Sequence, residues 1–183
     1  SEAAGTRKVP FTRELYIEKS DFAEAPPPKF QRLKPDGEGR LMGAYIVKCN
    51  EIIKDENGEI AEIRCTADLE TGNGMPADGR KVKGTIHWVS AAHAVDADLY
   101  LYDNLLTIEN ANDLPEGKDY LDYLNPESLK KLTGCKLEPS LAEAKEGERF
   151  QFVRMGYYVK DREPGRFNRI VTLKDSFAKT LQK

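Results

Sequence analysis

"AYIVKCNEIIKDENGEIAEIRCTADL" (residues 44–69) is a hairpin written in residue types. Two apolar-rich runs flank Asn57-Gly58, a pair that accepts the positive φ angles of a tight two-residue turn. The spacing predicts two long antiparallel strands joined there. "ELYIE" (Glu14–Glu18) alternates polar and apolar residues with the period of a half-buried strand. Lys81–Val89 and "DLYLYDNL" (Asp98–Leu105) read as further strands, and "FQFVRMGYYV" (Phe150–Val159) pairs with "FNRIVTL" (Phe167–Leu173) across the loop "KDREPGR". "APPPKF" (Ala25–Phe30) lacks three successive backbone donors, so it is an extended connector. Helical signal is thin: "NPESLKKLTG" (Asn125–Gly134) and "SLAEAKEG" (Ser140–Gly147) are each worth a turn or two. Many short strands with turn signals between them predict an all-β sandwich or barrel.

Composition narrows the function. A chain of 183 residues holds one large domain or two small ones. The 28 basic residues against 31 acidic ones leave a formal charge of −3, which gives no global attraction to nucleic acid. The distribution is uneven. Residues 96–128 carry nine acids (Asp96, Asp98, Asp103, Glu109, Asp113, Glu116, Asp119, Asp122, Glu127) against Lys118 alone, whereas residues 145–175 carry eight cations against five acids. One region repels polyanions and another tolerates them. Cys49, Cys65 and Cys135 form no CxxC pair. Their odd number argues against a disulfide framework or a zinc site and for a reducing compartment. No apolar run approaches the roughly 18 residues that span a bilayer, and no apolar signal core opens the chain. The expectation is a soluble, cytoplasmic protein whose residues 1–6 are a cloning remnant or linker.

No catalytic constellation emerges. His87 and His93 have no Cys or carboxylate at ligand spacing, and Ser90 lacks a nucleophile-elbow context. "TGNGMPADG" (Thr71–Gly79) lacks the Lys-Ser/Thr that would turn its glycines into a phosphate cradle. The carboxylates of "DLYLYD" are explained by a solvated strand face. No catalytic residue and no metal ligand is assigned. What remains is a set of cations (Arg32, Arg40, Arg80, Lys81, Lys83, Arg149, Arg154, Arg166, Arg169) interleaved with aromatics (Phe30, Trp88, Phe150, Phe152, Tyr157, Tyr158, Phe167). Reading unpaired RNA bases needs planar groups for stacking and Arg or Gln forks for base edges. Any one of these arginines is more often a solvated strand position; the group is what points to recognition. A β-barrel module for protein or carbohydrate, using exposed aromatics, is the competing class. "GRKVKG" (Gly79–Gly84) is either a turn against RNA backbone or a solvated face, and "TIHWVSAAHA" (Thr85–Ala94) is a packed seam with Trp88 as core.

Successive motifs then carry a resemblance: "VPFTRELYIEKSDF" (Val9–Phe22), "ADGRKVKGTIHWVSAAHA" (Ala77–Ala94), "NPESL" (Asn125–Leu129), "PSL" (Pro139–Leu141), "FQFVRMGYY" (Phe150–Tyr158) and "FNRIVTLKD" (Phe167–Asp175). In this order they resemble the C-terminal anticodon-binding region of bacterial-type glutaminyl-tRNA synthetases, of the class I Glu/Gln subfamily. The resemblance implies an all-β chain of two small β-barrels, the first portion at 7–88 and the second at 89–178, interleaved so that the N- and C-terminal strands share one barrel. It implies glutamine tRNA as partner, through its anticodon loop, with no DNA or membrane partner. It also implies a catalytic domain N-terminal to this segment, carrying HIGH and KMSKS signatures, ATP and Mg. Neither signature occurs here, so the chain is expected to be an excised, inactive, cofactor-free piece of a glutamine–tRNA ligase. Carried over by position, Arg32 would read the third anticodon base, Arg40 the first, and Gln151 with Arg154 the middle uracil. Phe30 and Lys29 would border the bases, and Arg80, Lys81 and Lys83 would meet phosphate. Lys29 stands where relatives have Gln, so it can touch phosphate but cannot accept a hydrogen bond. Met42 stands where some relatives have a further Arg. The equivalent region of an archaeal or eukaryotic-type glutamyl-tRNA synthetase is the nearest alternative.

Overall fold

A computed structural model describes residues 5–110, 112 and 114–173. Residues 1–4 of the expected remnant, Asp113 of the acidic stretch and residues 174–178 of the expected second barrel portion lie outside the described residues. The chain divides into two compact units, residues 1–93 and 94–183.

In the first unit the Asn57-Gly58 hairpin forms as read. Strands β3 (Ile46–Lys54) and β4 (Ile60–Asp68) pair antiparallel, with Cys49 opposite Cys65 and Ile52 opposite Ile63. Gly58 takes φ 80°, and the Asp55 carboxylate accepts the backbone N–H groups of Asn57 and Glu59, which closes the turn. β2 (Glu38–Leu41) adds antiparallel to β3, and β5 (Thr85–Ile86) adds parallel to β2, giving the order β4-β3-β2-β5. β1 (Leu15–Ile17) pairs with β6 (Trp88–Ser90), Tyr16 opposite Val89. Leu33, Leu41, Val47, Cys49, Ile86 and Trp88 are buried together. Trp88 is 8% exposed, and its indole N–H donates to the Met42 carbonyl at 3.0 Å, so its polar edge is satisfied inside the core. The expected strand at Lys81–Val89 pairs only over Thr85–Ile86 and Trp88–Ser90. Gly84 explains the break. Its φ is +87°, and a Cβ there would lie 1.5 Å from the Gln31 carbonyl oxygen. The chain therefore passes tightly against the backbone of the 31–32 segment at Gly84, whose carbonyl accepts the Arg40 N–H as β5 begins.

The second unit is one five-stranded sheet, β8-β7-β11-β10-β9. Its strands are β7 (Val95–Tyr102), β8 (Leu129–Leu137), β9 (Arg149–Phe152), β10 (Gly156–Lys160) and β11 (Arg166–Val171). β11 lies parallel to β7, and all other pairings are antiparallel. Ala97, Leu99, Leu137, Tyr158 and Phe167 form the core, with Phe152 stacked on Tyr158 at 4.3 Å between centroids. Two readings are corrected. Residues 150–159 are a hairpin in themselves, β9 and β10, because Arg154 adopts φ +67° and reverses the chain. Asn125–Gly134 is not helical: Leu129–Leu137 is a strand along β7, and the burial of Leu132, Cys135 and Leu137 overrides weak local propensity. Pro139–Glu143 does form a short 3-10 turn. Among the described residues the first strand pairs within the first unit and the last strand within the second.

The β10–β11 turn is tied by Asp161. The Glu163 N–H, the Asn168 amide and the Arg166 guanidinium all donate to its carboxylate, which holds its pKa down to about 2. A carboxyl depressed in the folded state contributes stability above its unfolded pKa and loses it as pH falls. Acid unfolding of this unit is therefore expected to include a component between pH about 4 and about 2. That component should vanish in Asp161→Asn; a variant with an unchanged acid limb removes Asp161 from the account.

Candidate nucleic-acid interface

The first unit carries a groove of about 510 Å³. One side is Phe30, Gln31 and Arg32, leaving the Pro-rich connector; facing it is the extended segment Lys81, Val82 and Lys83. Lys34, Asp36, Glu38 and Lys48 complete the rim. Five cations against two acids, in a chain of net charge −3, make this a local positive site. Of the residues singled out from sequence, Phe30, Arg32, Lys81 and Lys83 are brought together here. Lys34 and Lys48 were missed. Lys48 was hidden in the hairpin pattern, and its only signal was its place opposite Glu38 in the β2–β3 register.

Arg32 is held rather than loose. Its Nε lies 3.3 Å from the Asp21 carboxylate, which is wholly buried, and Nη1 donates to the Ser20 carbonyl at 3.1 Å. A guanidinium fixed in this way is held in a set orientation. Lys29, next to Phe30, adopts φ +67°, and Asp36 on the groove rim adopts φ +55°. Such left-handed backbone costs about 1–3 kcal/mol for a non-glycine residue and gathers at functional sites.

Arg40, on β2, is placed elsewhere in the same sheet. Its Nη2 donates to the Gly74 carbonyl at 2.9 Å, while Nη1 is buried without a hydrogen-bond partner. Arg80 has the opposite character. Its guanidinium is shared among Glu38 (3.2 Å), Asp68 (2.5 Å) and Asp78 (2.9 Å). Asp68 is held down to about 2, first by the Thr71 hydroxyl and N–H and then by Arg80. Three carboxylates around one cation leave no positive field for a phosphate. Arg80 instead ties β2, the end of β4 and the Asp78 turn together, directly before Lys81.

In the second unit Gln151 points outward from β9 opposite Tyr157 of β10, while Phe150 and Phe152 face the core. Arg154 sits at the tip of that hairpin, half-buried. Tyr157 is one of the aromatics counted with the cations in the sequence, without a specific place there. It is 41% exposed and offers a flat face beside the Gln151 amide.

The seam around Trp88 holds no chemistry. Ser90 does meet a ring, His93 Nδ1 at 3.1 Å, but the Ser90 hydroxyl is 1% exposed and also bonds the Thr12 hydroxyl at 2.7 Å. It laces β1 to β6. Among the described residues no cluster of three or more His, Cys, Asp or Glu could hold a metal ion, and no helix is long and apolar enough to cross a membrane.

Two family models, both described as tRNA synthetases class I (E and Q), anti-codon binding domain, match residues 1–68 and 85–161. The chain is similar to the glutamine–tRNA ligase of Xanthomonas campestris pv. campestris (strain 8004), 54% identical over 97% of this chain. The enzymes of the same name from Ectopseudomonas mendocina (strain ymp) and Pseudomonas syringae pv. tomato are 52% and 48% identical over 94% and 96% of it. The chain spans 31–32% of the length of these curated relatives.

Proposed function

The chain belongs to the anticodon-binding domains of the class I glutamate and glutamine tRNA synthetases, and from that membership we propose that it grips the anticodon loop of a glutamine tRNA as part of an ATP-dependent glutamine–tRNA ligase. The observation that carries the reading is the groove of the first unit, where a positive rim surrounds an aromatic face and an oriented Arg fork. Unpaired bases need these elements together: a ring to stack on, a bidentate donor for a base edge, and cations for the flanking phosphates. Arg32 and Arg40 are the readers on the first unit, and Gln151 with Arg154, flanked by Tyr157, on the second. A matched base edge is worth about 1–3 kcal/mol over a wrong one. Lys81 and Lys83 take phosphate, Lys29 and Phe30 border the bases, and Arg80 braces the segment that presents the two lysines. The names of the relatives favour glutamine over glutamate as the attached amino acid. ATP and magnesium belong, on this proposal, to the part of the relatives' length that this chain does not match.

The test is binding of anticodon stem-loops in which each of the three bases is changed in turn. A loop with a glutamine anticodon is expected to bind tightest, and Gln151→Ala should flatten discrimination at one base alone. Equal binding to every loop sinks the reading. Charge supplies a second measurement. Each lost phosphate contact should reduce the slope of log affinity against log salt by about 0.7 for single-stranded RNA. Lys81→Ala/Lys83→Ala is expected to lower it by about 1.4, whereas Arg80→Gln should leave it nearly unchanged.

A further inference from the structure

We propose that Cys49 and Cys65 form a modification site, two facing thiols that close into a cross-strand disulfide by exchange with a small-molecule disulfide of the glutathione class. The hairpin register places the two residues directly opposite each other on β3 and β4. The Cys49 N–H donates to the Gly37 carbonyl at 3.0 Å, on the side away from β4. The pair is therefore of the non-hydrogen-bonded kind, in which opposed Cα atoms lie about 4.5 Å apart and side chains approach most closely. Disulfides form across Cα separations of roughly 4.4–6.8 Å. The two thiols are close enough for each to bear on the other's ionisation.

Access divides the roles. Cys65 reaches solvent along β4, at the end of the sheet order, while Cys49 is 1% exposed within the core. The Cys65 thiolate attacks one sulfur of the incoming disulfide and expels one thiolate, leaving a mixed disulfide. Cys49, deprotonated in turn, attacks the Cys65 sulfur, expels the second small thiolate and completes the Cys49–Cys65 bond. Both protein thiols are oxidised, the small disulfide is reduced to two thiols, and the two protons end on them. Partial burial beside the Cys49 thiol pushes the Cys65 thiol up to about 11, so closure accelerates as pH rises. Cys135 faces Ala97 across β7–β8 and has no second sulfur opposite, which makes it an internal control. Lys48, the neighbour of Cys49 on β3, lines the groove, so the bridge pins that wall.

The experiment is exposure of the native protein to oxidised glutathione in mildly alkaline buffer, then acid quench, denaturation, alkylation and peptide mass mapping. The expected result is loss of two of the three thiols, a peptide linking Cys49 to Cys65, an alkylated Cys135 and a thermal midpoint raised by several degrees. In Cys49→Ala a glutathione adduct should persist on Cys65. A stable adduct on Cys65 beside an alkylated Cys49 in the unsubstituted protein overturns the proposal, as does a Cys65 that takes up no glutathione in Cys49→Ala. None of these outcomes depends on RNA binding.

Discussion

Replacing Arg32 with alanine is expected to cost the first unit about 1.5–3 kcal/mol before any RNA is added. The reason is Asp21, whose carboxylate is wholly buried 3.3 Å from the Arg32 Nε. Deleting the guanidinium removes one charged partner of that buried carboxylate. Urea unfolding followed in the single variant and in Arg32→Ala/Asp21→Asn separates the causes. The double variant should recover part of the loss, because an amide has no need of a cation beside it. A single variant within about 0.5 kcal/mol of the parent, the range of an ordinary surface substitution, dismisses the ion pair as a support. Arg32→Lys then isolates reading from scaffolding. It keeps the charge near Asp21 but loses the planar fork, so stability should stay near the parent while base discrimination falls roughly 5- to 150-fold.

Gly84→Ala is expected to be the most damaging single-carbon change in the groove, above about 4 kcal/mol. Two faults coincide there. The backbone is left-handed at φ +87°, and the added methyl would sit 1.5 Å from the Gln31 carbonyl oxygen and 3.4 Å from the Arg32 Cα. The obstructing atoms are backbone, so no rotamer relieves the clash, and the wall bearing Lys81 and Lys83 must part from the wall bearing Phe30 and Arg32. Gly79→Ala is the control. It shares the left-handed backbone, at φ +71°, but meets nothing within 4 Å, so it should cost only about 1 kcal/mol. Equal midpoints for the two variants would show that the close approach at Gly84 does not bear on stability.

Local signals were legible in the sequence where chemistry is local. Asn57-Gly58 announced its hairpin because two successive residues tolerant of positive φ sat between apolar runs. Trp88 declared itself core by its apolar company. Leu129–Leu137 was illegible because its strand character comes from β7, thirty residues upstream, and not from its own propensities. The same holds for the site. Motif resemblance located Arg32, Lys81 and Lys83 and left their surroundings unknown. That Arg80 is occupied while its neighbours face a groove depends on Glu38, Asp68 and Asp78 arriving from three other segments. Lys48 and Tyr157 are similar cases, since each acquires its place from the residue across the ladder, Glu38 and Gln151. Arg154 was read for its side chain; its left-handed backbone, which makes 150–159 two strands, is not encoded in any turn-favouring residue type.

The single tryptophan lies in the first unit, packed edge-on against Phe11 at 5.2 Å and closed off from water. Its ultraviolet emission is consequently a private reporter. Excited at the red edge of the absorption band, where tyrosine is silent, the protein should signal the opening of the first unit's core around Trp88. Circular dichroism at short wavelength follows every strand. A chemical denaturation recorded both ways should yield two midpoints if the units come apart in separate steps, and one if they unfold together.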